Sequence, residues 1–296
     1  MRTIWLKIIR PQTLFASLCP VLVGLLVANK QIAYAGMLGH TAAAFTVICA
    51  LSLQILSNLI NDYYDFLRGT DKKGRVGFSR ALAEGQVTPD EMRTACFVAL
   101  GVAIVTGAFL CYVGGWLILA IGVTAIIFAW LYTATDYSLS YLGIADIFVF
   151  LYYGIIATVG TVFLQYKAAG IDVTAATFYS RHITALYAGA VCGLISMCVL
   201  AINNIRDVDT DREAGKKTFP VRFGKPAALV GVAILVALMP LFAWLAFGVN
   251  WAMAVFVPAA CLYYKVLRAK GVEYNSCLML AGLVNLCYTI LVWLSL

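Results

Sequence analysis

Apolar residues run through this chain in long blocks, and polar residues gather where the blocks end. Nine blocks can be read, near 13–29, 41–61, 92–112, 115–134, 143–166, 182–203, 227–247, 250–267 and 275–295. Each approaches the roughly 20 residues a helix needs to cross a hydrocarbon core. The pattern predicts an all-α, polytopic membrane protein, a bundle of nine transmembrane helices in one domain over 1–296. The Tyr-Val-Gly-Gly junction at 112–115 predicts a tight turn between two helices. The first block follows Arg2, Lys7 and Arg10 and continues to Val27 with no small-residue cleavage site. It reads as a first span and not as a removable leader.

Composition agrees with lipid. Hydrophobic residues make up 63% of the 296 and charged residues 12%, about half the charged fraction of ordinary soluble domains. Nine cysteines lie scattered in apolar blocks with no C-x-x-C pair, and His40 and His182 stand alone. These are small apolar fillers and isolated polar groups, not a thiolate or imidazole metal site.

Charge sets an orientation. With the N-terminus in the cytoplasm, all but Lys30, Lys167 and Arg181 of the 21 Lys and Arg fall on the cytoplasmic side. That is the positive-inside signature of a multi-pass protein of the cytoplasmic membrane. The net charge of +7 therefore needs no nucleic-acid partner. It favours anionic lipid and an anionic substrate.

Acids break the expected pattern. They cluster in Asn58-Leu-Ile-Asn61-Asp62-Tyr-Tyr-Asp65 through Arg68-Gly69-Thr-Asp71, and in Asn203-Asn-Ile-Arg-Asp207-Val-Asp209-Thr-Asp211-Arg-Glu213. Asn61 and Asp65 are four apart, as are Asn203 and Asp207, and Asp207 and Asp211. Residues at that spacing share a helix face. Carboxylates at a helix C-terminus oppose its dipole, repel each other at this spacing, and are costly near lipid. A hard divalent cation with oxygen ligands resolves the conflict. Mg²⁺ takes one or two carboxylates and completes its shell with phosphate and water. The metal candidates are Asn61, Asp62, Asp65, Asp71, Asn203, Asp207 and Asp211. Nearby Arg75, Arg80, Lys216, Lys217 and Arg222 suit phosphate or carboxylate recognition. The two clusters, four spans apart, also suggest a parallel internal duplication.

On these residues the chain resembles the UbiA superfamily of intramembrane aromatic prenyltransferases. Within it, the likeness is to the branch that prenylates 1,4-dihydroxy-2-naphthoate in menaquinone synthesis. The segments that carry it are Arg10-Pro-Gln-Thr-Leu14, Asn61-Asp-Tyr-Tyr-Asp65, Gly69-Thr-Asp71, Arg75-Val-Gly-Phe-Ser-Arg80 and Gly85-Gln-Val-Thr88. Gly143 to Gln165, Asn203-Asn-Ile-Arg-Asp207 and Asp211 to Thr218 continue it. The likeness runs from about residue 5 to 225; the last three spans match only in hydrophobicity. Gly69 stands where the superfamily has a third acid, and Phe78 and Asp136 stand where the branch has proline.

The resemblance implies a Mg²⁺-dependent transfer of a polyprenyl group from its diphosphate to an aromatic acid. Asp65, Asp207, Asp211 and Lys216 would be the catalytic set. Lys216 and Lys217 would contact diphosphate, and Arg80 would bind the acceptor carboxylate. Tyr63, Tyr64 and Tyr132 are candidates to face an allylic cation. The polyprenyl tail would lie in an apolar tunnel or lateral gap. Other aromatic acceptors, such as 4-hydroxybenzoate or homogentisate, fit the same clusters. So does an ion-coupled transporter, although transporters usually place their ion sites near the midplane.

Overall fold

Inside a bilayer the backbone must satisfy its own hydrogen bonds, so each apolar block is expected to close into a helix. The computed structural model describes residues 2–32, 35–69, 80–134 and 138–296, and every regular element in them is helical. A short helix α1 (Arg2–Ile9) leads into α2 (Pro11–Gln31), α3 (Gly36–Leu67), α4 (Pro89–Gly114) and α5 (Trp116–Leu131). Two short helices follow, α6 (Leu139–Leu142) and α7 (Ala145–Phe150). A π-helical turn over Leu151–Ile156 joins α7 to α8 (Ala157–Ala168). The rest comprises α9 (Ala175–Arg206), α10 (Val208–Glu213), α11 (Phe219–Phe247), α12 (Phe256–Arg268) and α13 (Tyr274–Ser295).

Seven helical stretches among the described residues are long and apolar enough to cross a membrane. The expected spans at 115–134 and 250–267 are shorter. Helix α5 has 16 residues and α12 has 13, against the roughly 20 required. In the second case Asn250 takes the backbone N–H of Ala252 at 2.9 Å and starts a 3₁₀ turn over Trp251–Val255. That turn consumes the first residues of the apolar block. The nine full-length spans read from hydropathy thus become seven with two shorter helices.

Local chemistry places several boundaries. Thr88 and Glu91 form a reciprocal capping box ahead of α4, with Pro89 at its first position. Gly115, at φ 69°, makes the turn between α4 and α5 that the Gly-Gly pair predicted. Gly224, at φ 84°, kinks α11 just before Pro226, where the polar loop becomes an apolar span.

Helix α9 is the axis of the bundle. In its most apolar window 72% of the residues are buried, against 22–50% in the other long helices. Its Ile195, Cys198, Ile202 and Ile205 pack with Val232, Met239, Leu262, Val284 and Tyr288 in the main core cluster. Close approach relies on small residues, as membrane interfaces do. A Cβ on Gly154, within the π turn, would lie 2.6 Å from the Cα of Gly193 and from the carbonyl oxygen of Gly189. Only glycine lets the π turn sit against α9 there. Large apolar side chains such as Phe97, Val105, Trp116, Trp244 and Trp293 face outward, the inside-out dressing of a chain solvated by lipid.

Candidate active site

The C-terminal ends of α3 and α9 meet across one polar cavity of about 210 Å³. Helix α3 contributes Gln54, Asn58, Asn61 and Asp65 to its wall; α9 contributes Ser196, Leu200 and Asn203, with Asp207 just past its end. Both sets follow the same spacing, so each helix presents one face along three turns. Arg10, Thr13, Arg80, Tyr132, Asp146, Tyr153, Asp211 and Lys216 complete the polar wall.

The second cluster does not continue one helix. Helix α9 stops at Arg206, and Asp207 (φ −94°, ψ 12°) links it to α10. The Asp211 N–H still donates to the Asp207 carbonyl at 2.8 Å, so the break leaves both carboxylates on the cavity wall.

The acids are compensated by basic side chains. Asp62 is buried and held by the guanidinium groups of both Arg10 and Arg80. Its side chain is taken up by that clamp and is absent from the cavity wall. Asn61 sits under the same pair: its Oδ1 accepts from Arg10 at 3.4 Å and Arg80 at 3.3 Å. Its Nδ2 donates to Thr133 Oγ1 at 3.0 Å. In the other cluster Arg206 grips Asp207 with two nearly parallel bonds of 2.8 and 2.7 Å. It also donates to Asn203 at 2.7 Å and to Asn275 at 2.8 Å. Lys216 lies 3.6 Å from Asp211. Charge-assisted bonds of this kind fix the oxygens that face the cavity.

Arg10 is held in an unusual way. It is the one described non-glycine residue with positive φ (φ 53°, ψ 72°), directly before Pro11. Such a conformation costs on the order of 1–3 kcal/mol and persists only where the surroundings fix it. Here Thr13 donates to the Arg10 carbonyl through both its N–H and its hydroxyl, each at 2.9 Å. Asn58 in turn donates to Thr13 Oγ1 at 3.0 Å and to the Ile9 carbonyl at 2.9 Å.

Other predicted residues fall elsewhere. Asp71 and Arg75, with Phe78 and Asp136, lie outside the described residues. Arg222 reaches the Leu142 carbonyl at 2.7 Å, and the Lys217 amide bonds the Tyr141 carbonyl at 2.9 Å. Neither is on the cavity wall. Tyr63 and Tyr64 stack edge to face at 5.4 Å and pack into the cluster around Leu56 and Met92. Tyr132 does line the cavity. Sequence reasoning gave no role to Arg10, Asp146 or Tyr153, which the fold brings to the site. Asp146 had a visible signal, an acid inside an apolar block.

A second cavity, of about 220 Å³ and almost wholly apolar, adjoins the polar one. Gln54, Ser57, Tyr132, Val149 and Tyr153 line both. Its far end lies among Cys49, Cys111, Ile118 and Leu164.

Among the described residues no three His, Cys, Asp or Glu side chains converge into a closed cage. The donors are oxygens from two helix ends facing one cavity. That set fits Mg²⁺, which binds through one or two carboxylates and leaves the remaining positions to phosphate and water.

The chain is 35% identical to the 1,4-dihydroxy-2-naphthoate octaprenyltransferase of Escherichia coli, over 80% of this chain and 76% of that one. It is 27% identical to the enzyme of that name from Bacillus subtilis, over 77% and 68%. The structure of a UbiA homolog from Archaeoglobus fulgidus bound to DMAPP and Mg²⁺ superposes with a TM-score of 0.64 at 18% identity. It covers 98% of this chain and 97% of that one. Residues 17–286 match the model of the UbiA prenyltransferase family. With two Asn/Asp helix ends facing one cavity and a family match across nearly its whole length, this chain belongs to the UbiA prenyltransferase family.

Proposed function

We propose that this protein transfers a polyprenyl group from polyprenyl diphosphate to 1,4-dihydroxy-2-naphthoate, releasing CO₂ and diphosphate and giving demethylmenaquinol. The observation that carries the reading is the junction of the two cavities. A polar chamber walled by paired Asn/Asp helix ends opens through Tyr132 and Tyr153 into an apolar one. An amphipathic donor with an anionic head and a hydrocarbon tail needs that shape. The naphthoate acceptor is supported by the curated relatives of that name at 27–35% identity.

Asn61, Asp65, Asn203, Asp207 and Asp211 would hold Mg²⁺ with the diphosphate. Bound there, Mg²⁺ would withdraw negative charge from the leaving group. Lys216, already beside Asp211, would turn toward the departing diphosphate and stabilise its growing charge. Asp62 serves indirectly, keeping Arg10 and Arg80 aimed at the cavity. Arg80 would take the acceptor carboxylate in a planar fork, setting the carboxylate-bearing carbon beside the allylic carbon. Holding two reactants in that geometry can supply several kcal/mol of the barrier. The faces of Tyr132 and Tyr153 at the junction would stabilise positive charge on the allylic fragment. The tail would run toward Ile118 and Leu164 and leave for the bilayer. The distribution of Lys and Arg supports a site opening to the cytoplasm.

The test uses purified protein, Mg²⁺, a polyprenyl diphosphate and carboxyl-labelled naphthoate. Labelled CO₂ in step with prenylated product is expected. Product that keeps the carboxylate, or turnover only with 4-hydroxybenzoate, overturns the acceptor and leaves the metal-diphosphate half standing.

A further inference from the structure

One acid in the polar cavity belongs to neither cluster. Asp146 lies on α7, more than 50 residues from Asp207 and farther still from Asp65 along the chain, yet lines the same cavity. Its neighbours along the wall are Ala145, Val149 and Tyr153, and Tyr132 lines the same cavity. Tyr132 lies within electrostatic reach of Asp146, Tyr153, Asp65 and Arg10 at once. Asp146 therefore lies in the polar chamber beside Val149 and Tyr153, which also line the apolar one.

Its pairing sets it apart. Asp62, Asp207 and Asp211 each have a basic partner. Among the described residues no basic side chain pairs with the Asp146 carboxylate; its own backbone amide lies beside it. A half-buried carboxylate left without a cation is costly. The same exposure to the cavity makes it a ready proton acceptor.

Resting on the prenyl-transfer reading above, we propose that Asp146 takes the proton of the acceptor hydroxyl next to the reacting ring carbon, and returns it at the end of the reaction. In the first step the allylic C–O bond breaks and its electron pair leaves with the diphosphate. A ring π pair forms the new C–C bond, the adjacent hydroxyl becomes a carbonyl, and its proton passes to the Asp146 carboxylate. In the second step the bond to the carboxylate breaks and CO₂ leaves. That electron pair restores the aromatic ring, and the carbonyl oxygen recovers the proton from Asp146. The side chain ends as it began, and no oxidant or outside acid is needed. An arginine holding the acceptor carboxylate would leave the neighbouring hydroxyl available to this base. The competing role for Asp146 is local: an acid in the first turn of α7 favours the helix dipole.

The experiment compares wild type with Asp146→Asn and Asp146→Glu in the full-length protein. Asparagine keeps the size and a hydrogen-bonding oxygen and removes the charge, so a purely local helix-end role would show as a small loss of stability with kcat retained. For Asp146→Asn, kcat for prenyl transfer should fall about 10²–10⁴-fold, the range for loss of a general base. Binding of prenyl diphosphate and the acceptor KM should stay within about threefold of wild type, the scatter expected when only proton transfer is lost. Asp146→Glu should recover part of the rate. The ratio of wild-type to Asp146→Asn rates should shrink with a ring-fluorinated acceptor whose hydroxyl ionises unaided, an effect a structural defect would not produce. A kcat near wild type in Asp146→Asn overturns the proposal, as does loss of prenyl diphosphate binding or a ratio indifferent to hydroxyl acidity. Should wild type reject the naphthoate, the acceptor reading fails by itself. The same comparison then runs with whichever hydroxylated aromatic acid wild type prenylates, and decides the role of Asp146 there.

Discussion

The ends of α3 and α9 carry the same polar spacing and are wired differently. On α9 the compensation is local: Arg206 is the residue before Asp207 and holds it with two bonds while reaching Asn203 one turn back. On α3 it is remote. Asp62 is held by Arg10, 52 positions earlier, and by Arg80, 18 positions later. A helix end with its own arginine is set as soon as the helix forms. One that borrows arginines from two other segments is set only when those segments dock. The α9 end thus resembles a fixed jaw. The α3 end is a jaw whose alignment depends on the strained Arg10-Pro11 corner and on the chain around Arg80. Both present an amide oxygen and a carboxylate to the same space, so the chemistry is symmetric where the construction is not.

The largest effects should ignore that asymmetry. Chelation of divalent cations should abolish turnover, and Mg²⁺ or Mn²⁺ should restore it, because the donors are hard oxygens. Asp65→Ala and Asp207→Asn should each lower kcat at least about 100-fold, the usual loss when a group that stabilises transition-state charge is removed. Asparagine is chosen at 207 so that Arg206 keeps a partner. Full rates after rigorous chelation, or a near-normal rate in either well-folded variant, would remove the metal assignment.

Stability should reveal the asymmetry. Arg206 is buried and satisfies Asp207, Asn203 and Asn275 together. Arg206→Ala should cost about 3–5 kcal/mol, the range for breaking a buried ion pair from one side. Arg10→Ala should cost less, about 1.5–3 kcal/mol, as for a lost hydrogen bond to a charged group, because Arg80 still neutralises Asp62. Removing Arg10 and Arg80 together should cost more than the sum of the two single changes, since they share one partner. Unfolding of the detergent-solubilised variants measures all four. Equal losses in Arg206→Ala and Arg10→Ala would show that the two ends are built alike.

The same contrast explains what the sequence made legible. Apolar length gave the helices, and four-residue spacing gave the shared faces, because both are local and periodic. Arg206 could be placed from its neighbours. The Arg10 clamp could not, since nothing in Arg10-Pro11 announces a left-handed residue or a partner 52 positions away. The break at Asp207 carries no glycine or proline, so four-residue spacing alone does not reveal it. The π turn at Leu151–Ile156 leaves no mark on a 3.6-residue pattern; it follows from the tertiary contact of Gly154 with α9. Asp146 stands out as an acid in an apolar block, but it belongs to no cluster, so spacing gives it no partner.

The smallest effect belongs to a hydroxyl on the α3 side that has no counterpart across the cavity. Asn203 is aligned directly by Arg206, a charged donor on its own helix. Asn61 is aligned from both ends of its amide. Arg10 and Arg80 approach its oxygen at 3.3–3.4 Å, and Thr133, fully buried, accepts from its nitrogen at 3.0 Å. The arginine contacts are long, so the threonine decides which end of the amide faces the cavity. Thr133→Val keeps the shape and removes the acceptor. Asn61 Nδ2 is then left without that bond, a loss of about 1 kcal/mol for a neutral pair. Its oxygen should spend part of the time turned away from the metal position. We expect kcat/KM to fall about 5-fold, the factor that about 1 kcal/mol of lost alignment represents. The apparent Mg²⁺ affinity should weaken in parallel while Arg206-dependent stability stays unchanged. An unaltered Mg²⁺ dependence in Thr133→Val would mean that the two arginines orient Asn61 without help. The α3 end would then be as self-sufficient as the α9 end.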